Sequence, residues 1–168
     1  MKTIVFVSLG GNSPHSETLI HQSFAEISAL PGVEEMRCSP LYRTTPVSTI
    51  PQPDFLNAAC CFATTLTAIE VLTALQRIEE RLGKVKKAKD EPRPIDLDIL
   101  LFGREEHHSP EMKIPHPHWK ERLFVLIPLQ DLINEVVLPS GEVLNLKGLI
   151  DNFDNVNNEV VSALCQHV

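Results

Sequence analysis

Aromatic residues are scarce in this chain, with one Trp, one Tyr and seven Phe among 168 residues, and basic residues are outnumbered, 15 Lys and Arg against 22 Asp and Glu. A formal net charge of −7 and the lack of an aromatic strand pattern argue against a surface built to stack and neutralise RNA, and against a binder of anionic membranes. No hydrophobic run approaches a membrane span, and the N-terminal Met1–Gly10 segment holds only one short apolar stretch, without the extended core and cleavage site of a secretion signal. A cytoplasmic protein is the expectation. The four cysteines, Cys38, Cys60, Cys61 and Cys165, show no C-x-x-C spacing, so they read as small core residues without redox or zinc chemistry. Also missing are the phosphate-binding sequences of the common nucleotide folds: no G-x-x-x-x-G-K-S/T, no G-x-G-x-x-G opening a helix, and no kinase catalytic loop. If the chain handles ATP, it must assemble carboxylates for a cation, basic groups for phosphate and a flat pocket for an acceptor in some other way.

What is present supplies candidates for all three. A length of 168 residues with 43% hydrophobic content suits one domain, residues 1–168, with a proper core. The most informative stretch is Pro92-Arg93-Pro94-Ile95-Asp96-Leu97-Asp98-Ile99-Leu100-Leu101-Phe102. Read as a strand, it puts Ile95, Leu97 and Ile99 on one side and Asp96 and Asp98 together on the other, roughly 7 Å apart. Two like charges at that separation repel by about 2 kcal/mol at an effective dielectric near 20. Asp is depleted in strands, so the pair calls for compensation, and magnesium, which takes one or two carboxylates plus water and phosphate oxygens, supplies it. Just before the acids, Lys84, Lys86, Lys87, Lys89 and Arg93 put a third of all Lys and Arg into ten residues, a loop suited to a polyanion.

The elements around this strand follow an order. Thr3–Leu9 is β-branched and apolar and ends in Gly10-Gly11-Asn12, where backbone can turn or approach a ligand closely. A helix is expected from an N-cap at Ser13 with Pro14 first inside it, carrying Leu19, Ile20, Phe24, Ile27 and Leu30 and stopping at Pro31-Gly32. Extended segments at 33–44 and 55–65 flank the irregular 45–53 loop. The capping box Thr67-x-x-Glu70 opens a second helix with Val71, Leu72, Leu75, Ile78 and Leu82, ending at Gly83. Strand, helix, strand, strand, helix, strand is the order of an α+β, ferredoxin-like antiparallel sheet with its helices packed on one face, here followed by C-terminal additions. In those additions Ile114-Pro115-His116-Pro117-His118 forms a rigid elbow, 119–132 reads as a helix broken near Pro128, 136–141 as a small hairpin, and 159–166 as a terminal helix. The polar cluster His116, Lys120 and Arg122 follows the Asp strand, and Arg122 could neutralise charge on phosphate oxygens. Phe55 and Asn57 share a strand face, so that one ring and one amide can address a flat heterocycle.

Five segments in order, Ser8-Leu9-Gly10-Gly11-Asn12, Ser39-Pro40-Leu41-Tyr42-Arg43-Thr44-Thr45-Pro46, Gln52-Pro53-Asp54-Phe55-Leu56-Asn57-Ala58, the Asp strand, and Pro115-His116-Pro117-His118-x-x-x-Arg122-x-Phe124, resemble the 6-hydroxymethyl-7,8-dihydropterin pyrophosphokinase family. The resemblance implies transfer of pyrophosphate from ATP to the pterin hydroxymethyl group with release of AMP, in folate biosynthesis. It implies two magnesium ions on Asp96 and Asp98, with Asp96 also near the pterin. Phe55 and Phe124 would sandwich the pterin ring, and Asn57 would read its edge with backbone groups near Thr44 and Val47. Gln76, Glu79, Lys84, Lys86, Arg93, Ile99, His116 and Arg122 would line the ATP site, with Lys84, Lys86 and Arg93 acting in catalysis. Lys84 and Lys86 stand where relatives often carry arginine, and lysine lacks the bidentate fork. Asp90-Glu91 stands where a Trp-Gly pair is frequent. The expected partners are the two small molecules, with no nucleic acid and no membrane, and the expected state is a monomer, alone or as a domain of a fused folate-pathway enzyme. Two other readings compete: a nucleotidyltransferase-like magnesium enzyme, which would release pyrophosphate, and a ferredoxin-like ligand-binding module.

Overall fold

The computed structural model describes residues 1–45, 53–83, 93–153 and 160–163. In chain order its elements are β1 (Thr3–Gly11), α1 (Ser16–Ser28), β2 (Val33–Cys38), β3 (Tyr42–Thr45), β4 (Phe55–Thr64), α2 (Ala68–Arg81), β5 (Asp96–Phe102), β6 (His107–His108) and β7 (Lys113–Ile114). A 3-10 turn at Trp119–Glu121 precedes α3 (Leu123–Gln130), β8 (Glu135–Val137), β9 (Val143–Asn145), α4 (Leu146–Asp151) and β10 (Val160–Ala163). The main sheet runs β10-β3-β4-β1-β5, with β2 also on β4, and its pairs are antiparallel.

β1 and β4 pair along their whole length, from Thr3 opposite Thr64 to Gly11 opposite Leu56. The extended segment expected at 33–44 is two strands, because Ser39-Pro40-Leu41 interrupts it. β2 pairs with the far end of β4 and β3 with its near end, Tyr42 lying opposite Asn57. Ser39 holds the ladder together across the break: its N–H donates to the Ala59 carbonyl (2.8 Å) and its Oγ accepts from the Ala59 N–H (2.9 Å).

Alternation along the strands builds two cores. Val5, Val7, Leu9, Ala58, Cys60, Phe62, Leu97 and Ile99 face α1 and α2, meeting Ile20, Ile27, Val71, Leu75 and Ile78. Phe6, Ala59, Cys61 and Leu100 face the other way and are covered by Val125, Leu126 and Leu129 of α3, with Trp119 and the β8–β9 hairpin. Helices therefore cover both faces, not one: α3 is apolar nearly all round, and a helix of that kind is stable only when buried.

α2 starts as its sequence implies, with the Thr67 and Glu70 capping box formed in both directions. Other boundaries differ. α1 begins at Ser16, and Ser13-Pro14 lies in the turn before it. The helix at 119–132 breaks at Arg122, which is extended, while Pro128 is accommodated inside α3. Val160–Ala163 is a strand where the sequence suggests a helix, in keeping with the preference of the β-branched Val160-Val161 pair for a pleated backbone. Cys60 and Cys61 are buried as expected, whereas Cys38 is exposed. Among the described residues no helix is long and apolar enough to cross a membrane.

Candidate functional site

Strand register determines what the two aspartates look out upon. Asp96 lies opposite Gly10 of β1, and Gly10 lies opposite Asn57 of β4, which lies opposite Tyr42 of β3. Two residues further along, Asp98 faces Ser8 and Ser8 faces Ala59. These residues alternate with the ones that enter the α1–α2 core, so Asp96, Asp98, Ser8, Gly10, Asn57 and Phe55 share the other sheet face, beside α3. Asp96 and Asn57 stand two strand spacings apart, roughly 10 Å, with only a glycine between them. A Cβ on Gly10 would come within 2.8 Å of the Asn57 amide oxygen. The missing side chain leaves a shallow floor between a carboxylate and an amide.

The amide is held. Asn57 is 4% exposed, and its Nδ2 donates to the hydroxyl of Thr44, itself 5% exposed, at 3.0 Å. Tyr42 donates its hydroxyl hydrogen to the Asp131 carboxylate just past α3. Burial and that acceptor together hold the Tyr42 phenol well above its usual range, at about 12.

The Asp strand is fixed at its entry by the end of β1. Asn12 donates its N–H to the Arg93 carbonyl (2.9 Å), and its side-chain oxygen accepts from the Arg93 N–H (2.7 Å). Ser16 Oγ donates to the Pro94 carbonyl (2.8 Å). Gly11 allows the approach, because a Cβ there would sit 2.5 Å from Ser16 Oγ and closer still to the Pro94 oxygen. The Gly10-Gly11-Asn12 signal for close approach is thus met on one side by Asn57 and on the other by Pro94. The roles of Asn12, Ser16 and Asp131 are not legible in the sequence, since each depends on a partner far along the chain.

Arg93 reaches toward Asp96, with Nη1 3.6 Å from Oδ2. On the other side of β5, the Glu79 carboxylate of α2, 6% exposed, accepts the Leu97 N–H at 3.0 Å. The backbone between the two aspartates is thereby tied to a helix. The His116 N–H donates to the Leu100 carbonyl (3.0 Å), placing the elbow along the outer edge of the same strand. Burial lowers the His116 pKa, as do the positive neighbours Arg122 and His118. Arg122 stacks on Phe124 with its guanidinium carbon 5.8 Å from the ring centroid.

The structure therefore gathers Asp96, Asp98, Asn57, Phe55 and Thr44 on one sheet face with Phe124 on the helix layer over that face, and Arg93, His116 and Arg122 around the β5 end. Gln76 is exposed on α2. Ile99 turns its side chain into the α1–α2 core, away from the acids. Val47, Lys84, Lys86, Lys87, Lys89 and Asp90-Glu91 lie outside the described residues. Among the described residues no third His, Cys, Asp or Glu completes a protein-only metal cage with the acid pair. Two hard carboxylate donors in an open setting, with Asp98 exposed and Asp96 partly so, fit an ion that fills its shell with water and phosphate oxygens.

A profile of the family described as 7,8-dihydro-6-hydroxymethylpterin-pyrophosphokinase (HPPK) matches residues 6–134. A Pseudomonas aeruginosa protein named 2-amino-4-hydroxy-6-hydroxymethyldihydropteridine pyrophosphokinase is 39% identical over 140 residues, 83% of this chain and 86% of that one. A Bacillus subtilis protein of the same name is 38% identical over 136 residues, 81% of each chain. The Pneumocystis carinii folic acid synthesis protein fol1 is 39% identical over 135 residues, which cover 80% of this chain but 18% of that longer one. Among solved structures, Plasmodium falciparum HPPK-DHPS superposes with a TM-score of 0.68 at 15% identity, over 90% of this chain and 45% of that chain. The chain spans less than half the length of that bifunctional protein, and at such identity the likeness is one of fold.

Proposed function

The chain belongs to the 7,8-dihydro-6-hydroxymethylpterin-pyrophosphokinase family of folate biosynthesis, and from that premise we propose that it transfers the pyrophosphoryl group of ATP to 6-hydroxymethyl-7,8-dihydropterin, giving the pterin diphosphate and AMP. The observation that carries the proposal is the sheet face on which Asp96 stands across Gly10 from Asn57, with Asp98 and Phe55 on the same face at either side of that pair. Phosphate chemistry belongs at the acid end of that face and a flat heterocycle at the amide end.

Asn57 would address the hydrogen-bonding edge of the pterin, its amide steadied by Thr44, with the ring between Phe55 and Phe124 and backbone groups near Val47 assisting. Gln76, Glu79, Arg93, Ile99, His116 and Arg122 would line the ATP site, with Lys84 and Lys86 reaching the phosphates from the basic loop. Asp96 and Asp98 would hold two magnesium ions, which supply charge neutralisation at the phosphate oxygens when bound. The hydroxymethyl oxygen attacks the β-phosphorus in line, forming the new O–P bond as the bond from that phosphorus to the α,β-bridging oxygen breaks. The electron pair leaves with AMP and the hydroxyl proton passes to solvent. The protein's share is positioning and electrostatics: Arg93, Arg122 and the lysines offset charge on the transferred group, and the enclosing layers keep out water that would hydrolyse ATP. The β5-β1-β4 order with β2 and β3 beyond supports a ferredoxin-like core, with the elements after β5 added to it.

Incubation with magnesium, ATP and the dihydropterin, followed by chromatography of the nucleotides, tests the proposal. AMP formed one for one with pterin diphosphate is expected. ADP would indicate a simple kinase, and free pyrophosphate would indicate the competing nucleotidyl transfer.

A further inference from the structure

The family match stops at residue 134, but the sheet does not. Val160–Ala163 returns as β10 and lies antiparallel against β3, Val161 opposite Thr44 and Ala163 opposite Tyr42. β3 is four residues long and meets β4 only over Tyr42–Thr44. A strand so short, with one neighbour, has few bonds to keep it in register and belongs to the easily opened part of a fold. β10 converts it from an edge strand into an interior one. That matters because of what β3 carries: Thr44, whose hydroxyl holds the buried Asn57 amide, and Tyr42, whose hydroxyl reaches Asp131 at the end of α3. The sheet-side wall of the heterocycle slot is therefore only as firm as β3.

We propose that β10 is a positioning element of the heterocycle site: by pairing with β3 it fixes Thr44, and through Thr44 the Asn57 amide, for the flat ring that the site takes. The inference rests on the pterin reading of that site given above. It assigns to residues beyond the family-matched region a part in substrate affinity, with no part in the phosphate chemistry at Asp96 and Asp98 on the opposite edge of the sheet.

Proline at adjacent positions of β10 supplies a test with its own control. Neighbouring residues of an edge strand turn their N–H groups to opposite sides, so of Val161→Pro and Ser162→Pro one removes a bond to β3 and the other removes an N–H that faces away. For the full-length variants, kcat and the Michaelis constants for the nucleotide and for the dihydropterin are measured, together with hydrogen exchange at the Arg43 and Thr44 amides. One variant is expected to raise the dihydropterin Michaelis constant about tenfold, the effect of losing roughly one hydrogen bond's worth of order, with kcat and the nucleotide constant within about twofold and faster exchange in β3. The other is expected to match the unsubstituted protein in all of these. Two variants that behave alike, or a change in the nucleotide constant as large as that in the dihydropterin constant, would overturn the proposal. If the unsubstituted protein forms no AMP, the reaction reading fails instead, and the exchange measurement alone still decides whether β10 holds β3.

Discussion

Gly11→Ala is the substitution for which the structure gives the clearest sign. Gly11 does not sit in the left-handed region, so its backbone accepts alanine, and the whole cost comes from what the new methyl meets. It would lie 2.5 Å from Ser16 Oγ and 2.9 Å from the Pro94 carbonyl carbon, with the carbonyl oxygen nearer still. Ordinary carbon contacts begin near 3.5 Å, so the Pro94 backbone must retreat by about 1 Å. Overpacking of that kind costs about 1–3 kcal/mol, and the retreat weakens the 2.8 Å Ser16–Pro94 bond, about another 1 kcal/mol. Reduced freedom of the unfolded chain returns roughly 0.5–1 kcal/mol. The net loss is about 2 kcal/mol, or a fall in melting temperature of about 4–8 °C for a chain of this size. Because Pro94 follows the clamped Arg93 and precedes the acid pair by two residues, turnover should fall too. Gly148→Ala is the control: Gly148 lies in α4 with nothing nearer than 3.7 Å, and alanine there should leave stability unchanged or raise it. Urea unfolding and steady-state turnover of both variants decide the matter. A Gly11→Ala protein as stable and as active as the Gly148→Ala control would refute the close approach of β1 to Pro94.

Asp98→Ala should abolish AMP formation while its urea midpoint stays close to that of the unsubstituted protein, because Asp98 is exposed and surface substitutions usually shift stability by no more than about 0.5 kcal/mol; loss of folding would show the acid serving the core. Tyr42 is the chain's one tyrosine, so the ultraviolet absorbance of phenolate reads it alone: it should ionise near 12 in place of 10, and Asp131→Asn should bring it down. Its folded pKa is the higher one, so its contribution to stability is complete below pH 10 and fades toward about 12. His116 has the opposite sign: its folded pKa lies below 6.5, so the unfolded chain takes up the proton first and stability falls as pH drops below 6.5. Histidine NMR titration should place His116 below 6.5 when Arg122 is intact, and Arg122→Ala should raise it; an unmoved His116 would contradict the neighbourhood described here.

Local signals carry much of this architecture. The capping box of α2, the glycines ending β1 and the alternation around Asp96 and Asp98 are written into neighbouring residues, and each appears in the structure. What is not legible depends on distant partners. Ser39-Pro40-Leu41 splits one extended segment into two strands because each half finds a different end of β4. Val160–Ala163 is too short a run for its period to separate helix from strand, and its pairing with β3 decides. The second core has no local signature because Phe6, Ala59, Cys61 and Leu100 meet α3 only once the sheet is formed. In the site, the glycine pair announces a close approach but does not name Asn57 and Pro94 as what comes close.

The central claim is that ATP phosphates and their divalent ions gather at the Asp96 and Asp98 end of one sheet face, beside the heterocycle slot. Manganese titrated into the protein with a non-hydrolysable ATP analogue tests it directly, through paramagnetic broadening of backbone amide resonances. Broadening should centre on Asp96–Asp98, Ser8 and Gly10, fade toward Phe55, and vanish in Asp98→Ala. Broadening centred instead on the His107 and His108 hairpin with its partners Glu105 and Glu106, and unchanged by Asp98→Ala, would contradict the account.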